Sequence, residues 1–408
     1  MLIQVTGTLR NFAGDKVACT DMLLGQVVER TLRTLDLFFT HSELVYNACR
    51  VLSKLSMEEK CCRIMLDRDN LYASVSLLQR VLLTYSEHAA VVSRLSFTLA
   101  NLAMLYEEAR AALGPEGFDT TVTTLLVPYV SLATASRAHF DALLKSVRLL
   151  ANAVLDNETG VEMTQGNAAI SALDQVLRMH IDHEEMTLIT VSCLANILFY
   201  DQPQRPIVAD LSLREALVLH LVPALLQTLN TETTREALRA LSNLTRHPEA
   251  AHQVGQSHLV EPLMLLLDHS SAEVVYYCLG CLMNLSRLAK EFVYSEQCFE
   301  RLVALLAETG AQANDLSVQT AMVLGNLCTA TKGLVPWESV AGEEVVRKLG
   351  SLLASLAKES VSDQLLSVVR ALTTQLPAAF IPCPVPGCGR KFQNKAKLTE
   401  HWERRHQE

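Results

Sequence analysis

The stretch RALSNLT, Arg239 to Thr245, is the one to read first, because the chain repeats it at a nearly constant step. Variants run GTLRNFA (7–13), CRVLSKLS (49–56), FTLANLA (97–103), VRLLANAV (147–154), SCLANILF (192–199), GCLMNLS (280–286) and MVLGNLC (322–328), with a degraded copy, RALTTQL, at 370–376. One column of each copy holds Asn11, Lys54, Asn101, Asn152, Asn196, Asn243, Asn284 and Asn326, and Thr374 in the degraded copy. The steps between them are 43, 47, 51, 44, 47, 41, 42 and 48 residues. Two residues before that column every copy has Leu, and one residue after it an apolar side chain in eight of the nine. Positions three apart share one face of a helix, so each phrase predicts a helix that buries this stripe. Between phrases lie two further apolar helical patterns, such as SHLVEPLMLLLDH after HPEAAHQVG.

A period in the forties with three helices per unit predicts a quasi-one-dimensional stack, because no unit covers its apolar stripe alone. Period, helix count and the ALSNL phrase resemble armadillo repeats. The expected fold class is therefore an all-α, armadillo-type α-solenoid, a right-handed superhelix of three-helix repeats, followed by one small ββα zinc finger. The expected boundaries are 1–376 for an array of eight to nine repeats with an incomplete first copy, 377–382 for a linker and 383–408 for the finger. Since Met1 opens directly on a third helix, an upstream region that covers that end is expected.

Composition agrees with packed helices. Of 408 residues, 50% are apolar and 19% charged, enough material for a continuous core, while aromatic residues make up only 5% and disfavour a β-sandwich. The net charge of −9 is uneven: residues 383–408 carry +3, leaving −12 on the remainder. An acidic body is ill suited to broad binding of phosphate backbones. The first ten residues lack the pattern of a secretory signal. The longest apolar run, LREALVLHLVPALLQTL, is broken by His220 and Pro223, so no membrane span is expected. In a reducing compartment the eleven cysteines are free thiols or metal ligands, and the sequons at Asn157, Asn243 and Asn284 carry no weight.

The Asn column suggests a binding groove. In an armadillo stack the third helices line the inner surface, where Asn101, Asn152, Asn196, Asn243, Asn284 and Asn326 can hold an extended peptide backbone or bond the neighbouring repeat. One turn earlier stand Gly7, Arg50, Phe97, Arg148, Ser192, Arg239, Gly280, Met322 and Arg370. Nuclear-import adaptors of the same superfamily have Trp there to stack over lysine chains, so basic import signals are not the expected cargo. Arg50, Arg148, Arg239 and Arg370, with Lys54, instead predict an acidic or mixed partner segment, because the planar guanidinium matches carboxylates.

The tail from Cys383 to Glu408 spaces its ligands as Cys383-x4-Cys388-x12-His401-x4-His406, with Phe392 and Leu398 where a ββα core needs apolar residues. Two thiolates and two imidazoles close a tetrahedral structural zinc site with no open position, one Zn2+ per chain. A module this small draws its folding energy from the metal, roughly 10–16 kcal/mol in finger peptides. Its base-reading positions would be Asn394, Lys397 and Glu400, but one finger reads about three base pairs, too few to specify a site.

Lesser motifs read as structure. Cys278 and Cys281 lie inside a helix, Cys61 and Cys62 read as packed thiols, and His180, His183, Glu184 and Glu185 fall in a connection between repeats. Phosphate loop, dinucleotide fingerprint and nucleophile elbow are all missing, so the chain is not expected to be an enzyme.

Longer stretches resemble one family. VTGTLRNFAGD, NACRVLSKLSMEEKCCRIML, VVSRLSFTLANLAMLYEEAR, LLKSVRLLANAVLDNETG and TVSCLANILFYD are similar to the armadillo-repeat-containing protein 2 family, from near Met1 to about residue 330. The resemblance implies an adaptor of motile cilia and flagella that links radial spoke components to the intraflagellar transport machinery, in the cytoplasm and cilium, with no membrane or small-molecule substrate. It also implies a long region ahead of the array. The finger is not a feature of that family's core. The alternative is a nuclear or cytoplasmic armadillo regulator that contacts nucleic acid or a protein through the finger.

Overall fold

The computed structural model describes residues 1–15, 17–18, 22, 26–66, 71–114, 118–162, 167–201, 203, 210–257, 259–287, 296–310, 314–331, 343–356, 363–375, 381–382 and 391–392. They are helical apart from turns and one short pair of strands. Two compact units emerge, Met1–Leu244 and Thr245–Glu408.

In the first unit the helices are α1 Leu2–Phe12, α2 Val27–Leu37, α3 Ser42–Leu55, α4 Glu59–Met65, α5 Leu71–Thr84, α6 Ala89–Leu105, α7 Glu107–Leu113, α8 Phe118–Leu132, α9 Arg137–Ala153, α10 Asn157–Glu162, α11 Asn167–His180, α12 Glu184–Phe199, α13 Leu211–Gln227 and α14 Thr231–Leu244. The phrases fall on α1, α3, α6, α9, α12 and α14, and each of these packs on the next. Three complete layers, α4–α6, α7–α9 and α10–α12, show the expected order of two helices followed by the phrase helix.

The stripe explains the stacking. Leu52, Leu99, Leu150, Leu194 and Leu241 are no more than 1% exposed, as are Leu55, Leu102, Ala153, Ile197 and Leu244 three residues on. Complete burial of one such Leu stabilises by about 1.5–3 kcal/mol. Polar ties run the same way. The Tyr85 hydroxyl donates to Phe39 O at 2.9 Å and the Tyr129 hydroxyl to Ser86 O at 2.8 Å, joining the turns of successive layers. Burial pushes the Tyr129 phenol up to about 12. Asp174 and His220 Nδ1, 2.7 Å apart, join α11 to α13.

Helix starts follow ordinary capping chemistry, in which a side-chain acceptor takes a free backbone N–H. Ser136 Oγ accepts from His139 N, Asp210 from Ser212 N, and Asn230 Oδ1 from Glu232 N and Thr233 N. Pro223, which with His220 interrupts the apolar run, lies inside α13, and Pro128 inside α8. Burial of Leu217, Leu221 and Leu225 along α13 outweighs the one ladder hydrogen bond that Pro223 removes.

The second unit continues the pattern with α15 Pro248–Gln256, α16 Val260–Leu266, α17 Ala272–Ser286, α18 Glu296–Thr309, α19 Asp315–Thr331, α20 Glu343–Leu356 and α21 Asp363–Gln375. The phrase helices α17, α19 and α21 pack in series, and Leu282, Leu324 and Leu372 are buried. Two-residue strands, β1 Ile381–Pro382 and β2 Lys391–Phe392, pair antiparallel with Ile381 opposite Phe392. The strand β1 thus occupies residues read from the sequence as the end of a linker. Extended backbone suits Pro382, whose fixed φ and missing donor are tolerated at a strand edge. Among the described residues, no helix is long and apolar enough to cross a membrane.

Candidate functional site: the face that carries the Asn column

Each phrase helix places its column residue one position after the middle of the buried Leu-x-x-apolar stripe, at the border between packed core and open face. Asn196, Asn243 and Asn284 are 6–8% exposed, and Asn101, Asn152 and Asn326 are half-buried. The amides reach backwards to the preceding layer. Asn152 Nδ2 donates to Ala100 O (2.9 Å), Asn196 to Ala151 O (2.8 Å), Asn243 to Ala195 O (3.0 Å) and Asn326 to Met283 O (3.1 Å). In each case the acceptor is the residue just before the previous copy's column position.

A hydroxyl two residues after that position forms a second variant of the tie. Asn101 donates to Ser56 Oγ (3.0 Å), Asn284 to Thr245 Oγ1 (3.1 Å) and Asn326 to Ser286 Oγ (3.0 Å). Lys54, which replaces Asn in the second copy, makes the same bond with a longer arm: its Nζ lies 2.8 Å from Arg10 O. Of the two roles that the sequence left open for the column, the bond to the neighbouring repeat is present in every copy from Lys54 to Asn326. Asn11 is exposed and lies beside Arg10 Nε at 3.4 Å.

The cations one turn earlier differ from one another. Arg239 is consumed internally: its Nη2 forms an ion pair with Glu236 Oε2 (2.6 Å) and donates to Asn196 Oδ1 (2.5 Å), and Arg235 shares Glu236 at 3.0 Å. Arg148 meets Glu185 at 3.0 Å and stays about one-third exposed. Arg50 has no carboxylate partner among the described residues; its guanidinium lies 5.5 Å from the Tyr46 ring centroid. Arg370 is exposed on α21. The −4 position alone did not reveal Arg94 and Lys145, which stand seven residues before Asn101 and Asn152, two turns away on the same face. Extending the column by one more helical turn would have found them. Lys145 Nζ sits 5.5 Å from the Phe97 ring centroid and 3.9 Å from Glu185. Burial, then the neighbouring Arg148, hold its ammonium below the usual lysine range, with Arg94 adding in the same direction.

The remaining sequence candidates separate cleanly. His183 Nδ1 accepts from Met186 N at 3.2 Å and caps α12, while the His180 and His183 rings lie 5.4 and 4.6 Å from the ring of Phe140. The described thiols are buried: Cys278 Sγ donates to Leu263 O at 2.9 Å, and burial pushes Cys62 up to about 12 and Cys278 well above its ordinary value. Among the described residues no cluster of three or more His, Cys, Asp or Glu could hold a metal. Cys383, Cys388, His401 and His406 lie outside the described residues, as do Asn394, Lys397, Leu398 and Glu400.

No protein-family model matches the chain. It is similar to armadillo repeat-containing protein 2 of Mus musculus, 23% identical over 379 residues, and of Homo sapiens, 23% identical over 383 residues. The match covers 89% of this chain and 43% of each relative, so the chain spans less than half the length of the curated proteins it matches. Among solved structures, the crystal structure of an engineered protein gives a TM-score of 0.61 at 20% identity, covering 92% of this chain and 94% of the other. That likeness shows the fold. The similarity to armadillo repeat-containing protein 2 supports a repeat scaffold with a protein-binding role.

Proposed function

We propose that the chain is a non-enzymatic adaptor, which holds a segment of one protein along its Asn-bearing face and engages a second protein elsewhere, linking radial spoke complexes to intraflagellar transport during assembly of motile cilia or flagella. The observation that carries this reading is similarity to armadillo repeat-containing protein 2 over 89% of the chain, coinciding with a regular stack of phrase helices. Repetition of one helix face at each layer suits an extended polypeptide far better than a small molecule, which requires an enclosed pocket.

The C-terminal finger belongs to the same proposal. The paired strands Ile381–Pro382 and Lys391–Phe392 flank the segment that contains Cys383 and Cys388, as a ββα module requires. A thiolate and imidazole donor set fits zinc. Cys383, Cys388, His401 and His406 would hold it, and when bound the ion supplies folding energy, with no chemistry of its own.

Deletion of the gene in a flagellated cell, with a tagged copy for rescue, tests the adaptor. Tagged protein in the flagellum, together with axonemes that lack spokes in the deletion strain, is the expected result. Nuclear accumulation, with salt-sensitive retention on nucleic acid and intact spokes, would overturn it.

A further inference from the structure

The face that carries the Asn column is chemically uneven. Within the first unit, α3, α6 and α9 bring to it Arg50, Lys54, Arg94, Lys145 and Arg148, in a chain whose net charge is −9. Lys54 is tied to Arg10 O at 2.8 Å, and Arg50 Nη1 donates to the Tyr46 hydroxyl at 3.4 Å. Arg94 is exposed, and neither it nor Arg50 has a carboxylate in ion-pair range among the described residues. Lys145 and Arg148 share one acid, Glu185, which is half exposed. Around Lys145 stand two cations, Arg148 and Arg94, and two acids, Glu185 and Asp141, so with its own charge the cluster holds three cations to two acids. Among the described residues this leaves a local excess of cations, with Arg50 and Arg94 in no ion pair.

Two rings lie under these charges: Tyr46 under Arg50 and Phe97 under Lys145. An aromatic face on one side removes water from a cation and strengthens any carboxylate that arrives on the other. Beside Tyr46, an open cleft of about 440 Å³ lies between the starts of α3 and α6, lined by Ser42, Glu43, Glu87, His88, Ala89, Ala90 and Val91. By contrast, the cation of α14 is spent on Glu236 and Asn196, so the excess ends before that layer.

We propose that this patch, centred on Arg50, Arg94, Lys145 and Arg148, is the docking site for an extended acidic segment of a partner protein, read by its carboxylates, with one apolar side chain seated in the cleft beside Tyr46. The inference rests on the reading that this face holds a protein segment, and adds the chemistry of that segment and the three layers that read it. Charge complementarity selects the occupant: a basic segment would face four like charges. Bidentate pairing of carboxylates with Arg50, Arg94 and Arg148 would fix the segment's register.

A random dodecapeptide library displayed on phage, selected against the full chain, provides the probe, and the retained peptides are then titrated by fluorescence anisotropy. The expected yield is peptides rich in Asp and Glu that bind more weakly as salt rises. Arg50→Glu with Arg94→Glu should weaken them by about a hundredfold or more, since a hydrogen bond to a charged group accounts for roughly tenfold or more each. Arg50→Gln with Arg94→Gln should weaken them less, and far-UV circular dichroism of both variants should match the parent. Neutral or basic peptides, or acidic peptides indifferent to both variants, would overturn the acidic site and leave the scaffold standing. Retention of no peptide of any charge would bring down the scaffold reading as well.

Discussion

Asn152 shows how much one side chain can reveal. Its amide nitrogen reaches Ala100 O in the preceding layer, and the same geometry recurs at Asn196, Asn243 and Asn326. Asn152→Ala removes the donor and leaves the carbonyl short of one partner, a loss of about 1–2 kcal/mol. A urea titration followed by circular dichroism should show the lower midpoint, and Asn152→Lys should recover part of it, as Lys54 reaches Arg10 O. The column was legible in the sequence because one residue type returns at a steady step. The fate of each cation was not, since that depends on neighbours across layers. Lys54 looked like a free charge and is a structural tie. Arg239 looked like a groove residue and is held by Glu236, a partner at the helical spacing of three that the sequence did display.

At the scale of elements, the three-helix layers α4–α6, α7–α9, α10–α12 and α15–α17 follow from apolar periodicity, and helix starts follow from Asp210, Asn230 and Ser136 as caps. Pro223 sits within α13, because burial on both sides of it carries the helix through. Short helices are less legible, since their few residues give weak periodicity and depend on close fits. In α10, Gly160 is such a fit: a Cβ there would overlap the ring of Tyr200. Gly160→Ala gains helix propensity of about 1 kcal/mol but forces the ring to move, an overpacking cost of about 1–3 kcal/mol. The expected net effect is a lower melting temperature, with Gly160→Ala/Tyr200→Leu restoring it. A melting temperature at or above the parent's for Gly160→Ala alone would show that the ring moves freely.

On the scale of the whole chain, the repeat step announced a stack, and phrase helices that pack in series within Met1–Leu244 and within Thr245–Glu408 bear that out. The division after Leu244 has no counterpart in the sequence, where RALSNLT runs straight across it; contact density is a property of the folded chain alone. The proposed zinc makes a separable prediction. Elemental analysis should find one zinc per chain, lost in Cys383→Ser with Cys388→Ser, and excess chelator should leave the helical signal at its starting value. A large loss of helix on chelation would place metal in the array itself. One consequence of the backward ties concerns how such a chain changes length. Each copy from Lys54 to Asn284 brings a donor for the copy before it and an acceptor for the copy after it, as Asn196 does between Ala151 O and Asn243's bond to Ala195 O. Duplicating or deleting a block of that period splices like ends together, with no orphaned amide at the seam. Gene-level gain or loss of a block is then nearly silent in hydrogen-bonding terms, and only a fractional insertion is punished.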